Sequence, residues 1–153
     1  MVVQSVPGRR FVSFRPAGTF PRARHDILAG MASQISQIDH IQIAAPQGCE
    51  EAAREFYGTL LGLKEIAKPA VLQARGGCWF ECGAQQLHIG VERDFRPARK
   101  AHPAFAVFNL DELRESLISR GVAVVDDFDL PGERRFYAAD PWGNRLEFIE
   151  VRN

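Results

Sequence analysis

The sequence has no long hydrophobic run, no net charge and few cysteines, and each of these absences excludes a class of function. No apolar stretch approaches the roughly 18 residues of a transmembrane helix, so we expect no membrane partner. The formal net charge is +0, which gives no indication of nucleic acid binding. The cysteines number three, an odd count that, without a secretory signal, favours reduced thiols and a cytoplasmic location. Cys78 and Cys82 have a C-x3-C spacing that is unusual for zinc, so we interpret them as strand residues.

The first part of the chain, residues 1–35, differs in composition from the remainder. It is rich in arginine and proline, poor in acidic residues and without a sustained hydrophobic period, so we predict a flexible leader. Two alternatives stay open for this segment. Met31 could be the true start, or the arginine-rich composition could mark an organellar targeting peptide. Residues 36–151 are predicted to form a single domain.

Two successive segments of this domain, 36–92 and 102–151, show the same order of predicted elements. Each begins with a strand, continues with an amphipathic helix and ends with further short strands, so the order is βαβββ twice. This order predicts an α+β fold rather than a doubly wound parallel sheet. The predicted strands are 38–45, 64–67, 71–75, 78–82 and 85–92, then 102–108, 122–127, 134–139 and 144–151, with helices at 50–61 and 110–120 and a turn at 140–144. The stretch 71–82 could also be one broken strand.

Polar residues of metal-ligand type interrupt four of the predicted strands. His40, His88, His102 and Glu147 each lie on the strand face opposite the apolar residues, because side chains alternate along a strand. The apolar faces can pack under the helices, and the other faces can line a cavity. The opposed apolar residues are Ile41 and Ile43, Leu87, Ile89 and Val91, Phe105 and Val107, and Leu146 and Phe148.

The spacing of these four residues indicates two copies of one unit. His40 and His102 open the first strands of the two segments, 62 residues apart, and His88 and Glu147 lie in the last strands, 59 residues apart. Nearly equal offsets predict that the four groups converge across a pseudo-twofold axis. Imidazole and carboxylate suit Zn, Ni, Fe(II) or Mn(II). We therefore predict a divalent metal ion with open coordination positions for a small oxygenated substrate.

Residues 36–151 resemble the vicinal oxygen chelate superfamily, the group of glyoxalases, bleomycin-resistance proteins and extradiol dioxygenases. The resemblance implies paired βαβββ modules that form a cupped mixed sheet around a divalent metal, and dimerisation that often completes the sites, so a homodimer is expected. The matching stretches are IDHIQIAA at 38–45, FYGTLLGLKE at 56–65, HPAFAVFNLDEL at 102–113 and FYAADPWGNRLEFIE at 136–150, of which the last is the most specific.

The resemblance also implies roles for individual residues. His40, His102 and Glu147 match the metal ligands, and His88 matches a fourth ligand position that is Glu or Gln in typical glyoxalase I. Glu147 and His88 are the candidate catalytic residues, since either could move a substrate proton. The histidine at position 88 argues against glyoxalase I activity, whereas extradiol dioxygenases and fosfomycin-resistance transferases need only the two histidines and the glutamate.

Two classes of function follow from the sequence. The first is a metal-dependent lyase, isomerase or dioxygenase that acts on a small molecule. The second is a non-enzymatic binding protein similar to the bleomycin-sequestering members, although those lack the metal ligands. The basic linker residues Arg93, Arg96, Arg99 and Lys100 could receive an anionic substrate, or could belong to a solvated loop. Tyr137 could be either a core or a pocket residue.

Overall fold

Short strands form two four-stranded sheets in this computed structural model, which describes residues 34–151. The first sheet has the strand order β1-β4-β3-β2 and the second has the order β5-β8-β7-β6. The strands are β1 (His40–Ala45), β2 (Glu65–Ile66), β3 (Cys78–Cys82), β4 (Gln85–Val91), β5 (Ala104–Val107), β6 (Val124–Asp127), β7 (Arg135–Ala139) and β8 (Arg145–Glu150). The helices are α1 (Glu50–Ala53, continuing as a π-helix over Arg54–Leu60), α2 (Ala70–Gln73) and α3 (Leu110–Ser119).

The two modules have the same mixed topology. In each module the first strand pairs in parallel with the last, β1 with β4 and β5 with β8. The remaining ladders, such as β3 with β4 and β7 with β8, are antiparallel. The predicted α+β fold of paired βαβββ modules is thereby confirmed. No helix in the described part of the chain has the length and apolar character to span a membrane. The predicted leader lies almost entirely outside the described residues.

The apolar strand faces form the core, as the alternation predicts. Ile43, Leu87 and Ile89 are buried in the first module, and Phe136 and Phe148 are buried in the second. Burying a side chain of this size contributes roughly 1.5–3 kcal/mol relative to leaving it in water. Because one face of each sheet is used in this way, the opposite face is free to present polar groups.

Two element boundaries differ from the prediction in the first module. The predicted strand at 71–75 is wrong, because Ala70–Gln73 forms the short helix α2. Pro69 precedes this helix with an extended backbone, and Gly76 and Gly77 follow it with positive φ angles. The predicted helix at 50–61 is helical, but its second half is widened to a π-helix, in which Leu61 N–H donates to the Phe56 carbonyl.

In the second module, the predicted strand at 102–108 is shorter than expected. Strand β5 begins at Ala104, so His102 precedes the strand rather than opening it. Pro103 has no N–H to give to a ladder, although its carbonyl still accepts a 3.1 Å hydrogen bond from Glu147 N–H. His102 is therefore held at the start of the sheet by a backbone bond between its neighbour and β8.

The turn at 140–144 connects the second module to the first. The buried Asp140 carboxylate accepts hydrogen bonds from the Tyr57 hydroxyl at 3.0 Å and from the Asn144 side-chain amide at 2.7 Å. The same amide donates to the carbonyl of Ala44 in β1 at 2.9 Å. Burial raises the pKa of Tyr57, and the nearby Asp140 charge raises it further. The predicted turn is present, and its polar side chains fix the position of β8 relative to β1.

Candidate metal centre

The four sequence-predicted ligands hold equivalent positions in the two modules. Gln42 of β1 is in register with His88 of β4, and Ala104 of β5 is in register with Glu147 of β8. His40 lies two residues before Gln42, and His102 lies two residues before Ala104. His40 therefore corresponds to His102, and His88 corresponds to Glu147. Each module brings one pair of donors to the polar face of its own sheet.

In the first module, the rings of His40 and His88 are stacked face to face. Their ring centroids are 4.2 Å apart, and His88 stacks in turn on Trp79 at 3.9 Å. The Nδ1 atom of His40 donates to the Asp39 carboxylate at 2.8 Å, and the Nε2 atom of His88 donates to the side-chain oxygen of Gln86 at 2.9 Å. Burial lowers the pKa of His88, and the neighbouring His40 lowers it further. Both effects favour the neutral ring, which is the form that binds a metal.

In the second module, His102 and Glu147 are in direct contact. The Nε2 atom of His102 lies 2.9 Å from Oε2 of Glu147, and its Nδ1 atom lies 2.6 Å from the Lys100 carbonyl. The other carboxylate oxygen of Glu147 accepts a 2.9 Å hydrogen bond from Arg135. Glu147 is only 6% exposed. A buried carboxylate of this kind is stable only when it is paired, and here both of its oxygens have partners.

The hydrogen bonds of His102 and His40 fit metal ligation. A neutral imidazole carries one N–H, yet both nitrogens of His102 face acceptors. A cation bound by Nε2 and by the Glu147 carboxylate would take the place of the second proton, while Nδ1–H stays on the Lys100 carbonyl. Metal-bound histidines usually donate their other N–H to a carbonyl or carboxylate. His40 has the same arrangement, because Asp39 occupies Nδ1 and leaves Nε2 available.

The structure does not bring all four donors of one chain together. Within residues 34–151, no group of three or more His, Cys, Asp or Glu side chains is placed to hold a metal ion. The donors form two pairs, one in each module. Catalytic zinc sites use three protein ligands and structural sites use four, so neither pair is sufficient alone. The centre formed by His40, His88, His102 and Glu147 thus stays a prediction.

Two further residues contact the ligand pairs and were not singled out from the sequence. Trp79 covers His88, and Arg135 links Glu147 to Asp127, whose carboxylate it contacts at 3.0 Å. Strand alternation could have found both. Trp79 alternates with the buried Cys78 and Phe80 in β3, and Arg135 alternates with the buried Phe136 in β7.

The cysteines are not members of these pairs. All three are free thiols, with Cys49 and Cys78 buried. Burial raises the pKa of Cys78 to about 12, with a further contribution from Glu65. Such a thiol is neither a good nucleophile nor a ready metal ligand. The interpretation of Cys78 and Cys82 as strand residues agrees with their places at the two ends of β3.

Tyr137 lies on the face that carries Glu147. The two residues are in register between β7 and β8, and the Tyr137 ring meets His102 edge-on with a centroid separation of 5.6 Å. Burial raises the pKa of Tyr137, and the Glu147 charge raises it further. The phenol is therefore a protonated donor at neutral pH, beside the second ligand pair rather than in the core.

A mainly apolar cavity of about 440 Å³ lies between β1 and the start of β8. Its walls include Ile41 and Ile43 of β1 on one side and His102 and Pro103 on the other. This volume is within the usual range for small-molecule sites. The cavity gives one of the predicted ligands, His102, an apolar surrounding in which a small organic molecule could lie.

Comparison with known proteins identifies relatives of the whole domain. The model of the Glyoxalase/Bleomycin resistance protein/Dioxygenase superfamily matches residues 37–148. A crystal structure of a putative glyoxalase family protein from Bacillus anthracis is similar, with 55% identity, a TM-score of 0.76, and coverage of 80% of this chain and 100% of that chain. A lactoylglutathione lyase from Agrobacterium tumefaciens shares the fold at 23% identity, with a TM-score of 0.60 and coverage of 77% and 96%. A glyoxalase/dioxygenase from Nostoc punctiforme does so at 21% identity, with a TM-score of 0.64 and coverage of 80% and 99%. A search of curated proteins gave no match.

Proposed function

Because the chain belongs to the Glyoxalase/Bleomycin resistance protein/Dioxygenase superfamily, we propose that it is a divalent-metal-dependent enzyme that acts on a small oxygenated substrate. The reaction would be of the lyase, isomerase or dioxygenase type. One observation carries the proposal: two pairs of metal donors occupy equivalent register positions in the two modules. Domains of this superfamily commonly use divalent metals, bind small molecules and dimerise.

A homodimer would complete the centre. His40 and His88 of one protomer would face His102 and Glu147 of its partner, so that each site takes two ligands from each chain. The separation of the pairs into two sheets supports this arrangement, since within the described residues one module offers only two donors. Ligand sets of this composition suit Zn, Ni, Fe(II) or Mn(II).

The residues around the centre would each have a different chemical role toward the substrate. A bound divalent metal supplies Lewis-acid polarisation of substrate oxygen atoms. Glu147 is positioned by Arg135 and can hold or return a proton at Oε2. His88, kept neutral by burial, would act as a ligand and could accept a proton only when released from the metal. The Tyr137 hydroxyl, kept protonated by burial and by Glu147, hydrogen-bonds to Asp127 in this structure and could turn to donate to the charge that develops on the substrate.

Metal analysis of the purified protein tests the ligand set. We expect about one divalent ion per chain, as in single-centre metalloenzymes. His102→Ala and Glu147→Ala should each lose most of it, whereas His25→Ala should not, because His25 lies outside the predicted domain. Equal metal content in wild type and in His102→Ala would contradict the proposed centre.

A mixing experiment tests whether the site is shared between protomers. One chain would carry His40→Ala with His88→Ala, and the other would carry His102→Ala with Glu147→Ala. Neither homodimer should bind metal. A heterodimer, isolated with two different affinity tags, should regain about half of the wild-type content, because one of its two sites would have all four ligands. A heterodimer without metal would show that each site is built within one chain.

The chemistry can be sorted by a small panel of substrates. The panel would contain 2-oxoaldehyde–thiol adducts, catechols and fosfomycin with a thiol, assayed with protein reconstituted separately with each metal. Turnover of one class that disappears in His102→Ala but persists in His25→Ala would assign the reaction type. The absence of metal-dependent turnover of every class would leave the family membership intact and remove support for these three reactions.

The second candidate function is binding without catalysis. The apolar cavity beside His102 supports it, because its lining of Ile41, Ile43 and Pro103 can hold a small organic molecule without any metal. Saturable binding of an apolar compound by metal-free protein, unchanged in His102→Ala, would favour this function. Binding that requires the metal would favour the enzyme.

A further inference from the structure

We infer that Arg99 and Arg145 form an anion subsite beside the candidate metal centre, which would hold a carboxylate, phosphonate or phosphate group of the substrate. This subsite deepens the proposed function, on which it rests, because it names the charge of the substrate. It occupies a different cavity from the one between β1 and β8, and its two arginines are not metal ligands.

The two arginines border a common cavity of about 400 Å³. Tyr137 and Gly143 line the same cavity, together with the exposed Val125. The guanidinium carbon of Arg145 lies over the Tyr137 ring, 3.7 Å from its centroid. Since the same ring meets His102 edge-on, the cavity lies next to the second ligand pair.

Backbone hydrogen bonds bring the two arginines to this place from distant parts of the sequence. Arg145 N–H donates to the Ala98 carbonyl at 2.8 Å. Ala98 N–H donates in turn to the side-chain oxygen of Asn144, also at 2.8 Å. These two bonds fasten the linker to the start of β8, which brings Arg99, the residue after Ala98, close to Arg145. Of the basic linker residues, Arg99 is the one that lines this cavity.

The charges of these arginines are not neutralised within the described chain. Among residues 34–151, the structure pairs neither Arg99 nor Arg145 with a carboxylate. By contrast, five other arginines in this part of the chain are paired with carboxylates. These pairs are Arg54 with Glu65, Arg114 with Asp126, Arg120 with Glu55, Arg134 with Asp111 and Glu150, and Arg135 with Asp127 and Glu147.

The acidic residues nearby do not cancel this charge. An adjoining cavity, which also borders Tyr137 and Arg145, is lined by Asp126, Asp127 and Asp129. Asp126 is paired with Arg114 at 2.8 Å and Asp127 with Arg135 at 3.0 Å, which leaves Asp129 as the acid there without a cationic partner among the described residues. Two guanidinium groups against one carboxylate leave the region positive.

Stacking prepares Arg145 for an oxyanion. Contact with the Tyr137 ring restricts the side chain and leaves the edge of the planar guanidinium available for paired hydrogen bonds. Such bonds match the geometry of carboxylate, phosphonate and phosphate groups. Because Tyr137 links the cavity to His102, an anionic group held here would place the neighbouring part of a small substrate toward the metal ligands.

Calorimetric titration of the full chain tests the subsite with inorganic phosphate, methylphosphonate and acetate, and with acetamide as the uncharged counterpart of acetate. We expect saturable binding of at least one of the anions and none of acetamide. In Arg99→Gln/Arg145→Gln, affinity for that anion should fall by about tenfold or more. The comparison of the three anions distinguishes a carboxylate site from a phosphate or phosphonate site.

Three controls separate this subsite from general charge effects and from the metal. Arg75→Gln removes an exposed arginine of the first module and should leave binding unchanged. Arg145→Lys, which keeps the charge but loses the planar edge, should weaken binding less than Arg145→Gln. After treatment with a chelator, wild-type protein should still bind the anion. Equal weakening in Arg75→Gln, full binding by the double variant, or dependence of binding on the metal would each overturn the inference.

The subsite and the metal centre can fail independently. Arg99→Gln/Arg145→Gln should keep the wild-type metal content. Metal-free wild type that still binds the anion through these arginines, in a protein that never takes up metal, would contradict the proposed function and support the subsite. Wild-type protein that contains metal but shows no saturable anion binding would overturn the subsite and leave the proposed function standing.

Discussion

The side-chain amide of Asn144 donates a 2.9 Å hydrogen bond to the carbonyl of Ala44, which lies 100 residues earlier in the chain. The amide also contacts Asp140 at 2.7 Å, and the side-chain oxygen accepts from Ala98 N–H at 2.8 Å. One side chain thus connects β1 of the first module, the linker and the turn before β8. With 2% exposure, it does so where water cannot replace a lost partner.

Replacing Asn144 by alanine should destabilise the fold. The substitution leaves the Ala44 carbonyl and the Ala98 N–H without their partners, and each unsatisfied buried group costs roughly 1–3 kcal/mol. We expect a loss of about 2–4 kcal/mol in the free energy of unfolding, measured by urea denaturation. Asn109→Ala is the matched control, since Asn109 is exposed and its side chain makes a long, 3.3 Å bond to Glu112. Similar losses for both variants would show that the connection adds nothing to stability.

Two adjacent arginines should differ sharply in their contribution to stability. The Arg135 side chain is 14% exposed and contacts both Glu147 and Asp127, whereas the Arg134 side chain is 54% exposed. Arg135→Met leaves the buried carboxylate of Glu147 and the partly buried one of Asp127 without their cation, and should cost about 2–4 kcal/mol. Arg134→Met breaks ion pairs of a mainly exposed side chain and should cost much less. Denaturant titrations of both variants in metal-free buffer make the comparison, and equal losses would contradict it.

The sequence predicted the fold better than the environments of individual residues. Alternation along the strands was sufficient for the core, because buried apolar residues such as Leu87 and Phe148 fall at every second position. The prediction of a strand at 71–75 was wrong. Val71 is apolar and β-branched, which favours a strand, but it is 85% exposed and lies in the helix α2. A local preference for strand has no effect where the residues do not pair with a neighbouring strand, and Pro69, just before the helix, has no N–H to give to a ladder.

The sequence predicts the members of the candidate site, which stay a prediction, but not their geometry. Spacing placed His40 with His102 and His88 with Glu147, and the register of both parallel ladders agrees with that correspondence. The ion pair between Arg135 and Glu147 joins two different strands, so no spacing along the chain reveals it. The convergence of the two donor pairs depends on how modules meet, which is a non-local property that residue periodicity does not encode.

Gly77 should tolerate alanine far less than Gly83 does. Both have positive φ, +75° and +61° respectively, but a Cβ at Gly77 would overlap the Ile89 carbonyl oxygen, whereas a Cβ at Gly83 would meet no atom within 4 Å. Gly83→Ala should therefore cost only the backbone strain, roughly 1–2 kcal/mol. Gly77→Ala must also displace β4, and we expect a cost above about 3 kcal/mol. Thermal or urea unfolding of the two variants measures the difference, and equal costs would mean that the β3–β4 edge is not packed this closely.

The stability of metal-free protein should fall as the pH drops below the ordinary histidine range. Burial, followed by the neighbouring His40, lowers the pKa of His88 below its usual value of 6.5. The unfolded chain, in which this ring is exposed, therefore binds more protons than the native state between the two pKa values. Under linkage, stability rises with pH through that window and is fully present above about pH 6.5. The contribution is lost as the pH falls toward the native pKa.

His88→Gln provides the test of this dependence. Glutamine retains hydrogen-bonding capacity at position 88 but does not titrate, so the decline in unfolding free energy between about pH 7.5 and pH 5.5 should be smaller than in the wild type. His25→Gln, outside the predicted domain, should keep the wild-type slope. Chelator must be present throughout, because a bound metal would itself compete with protons for the imidazole. An unchanged slope in His88→Gln would assign the acid sensitivity to other groups, and the stacked His40–His88–Trp79 arrangement would then carry no proton-linked cost.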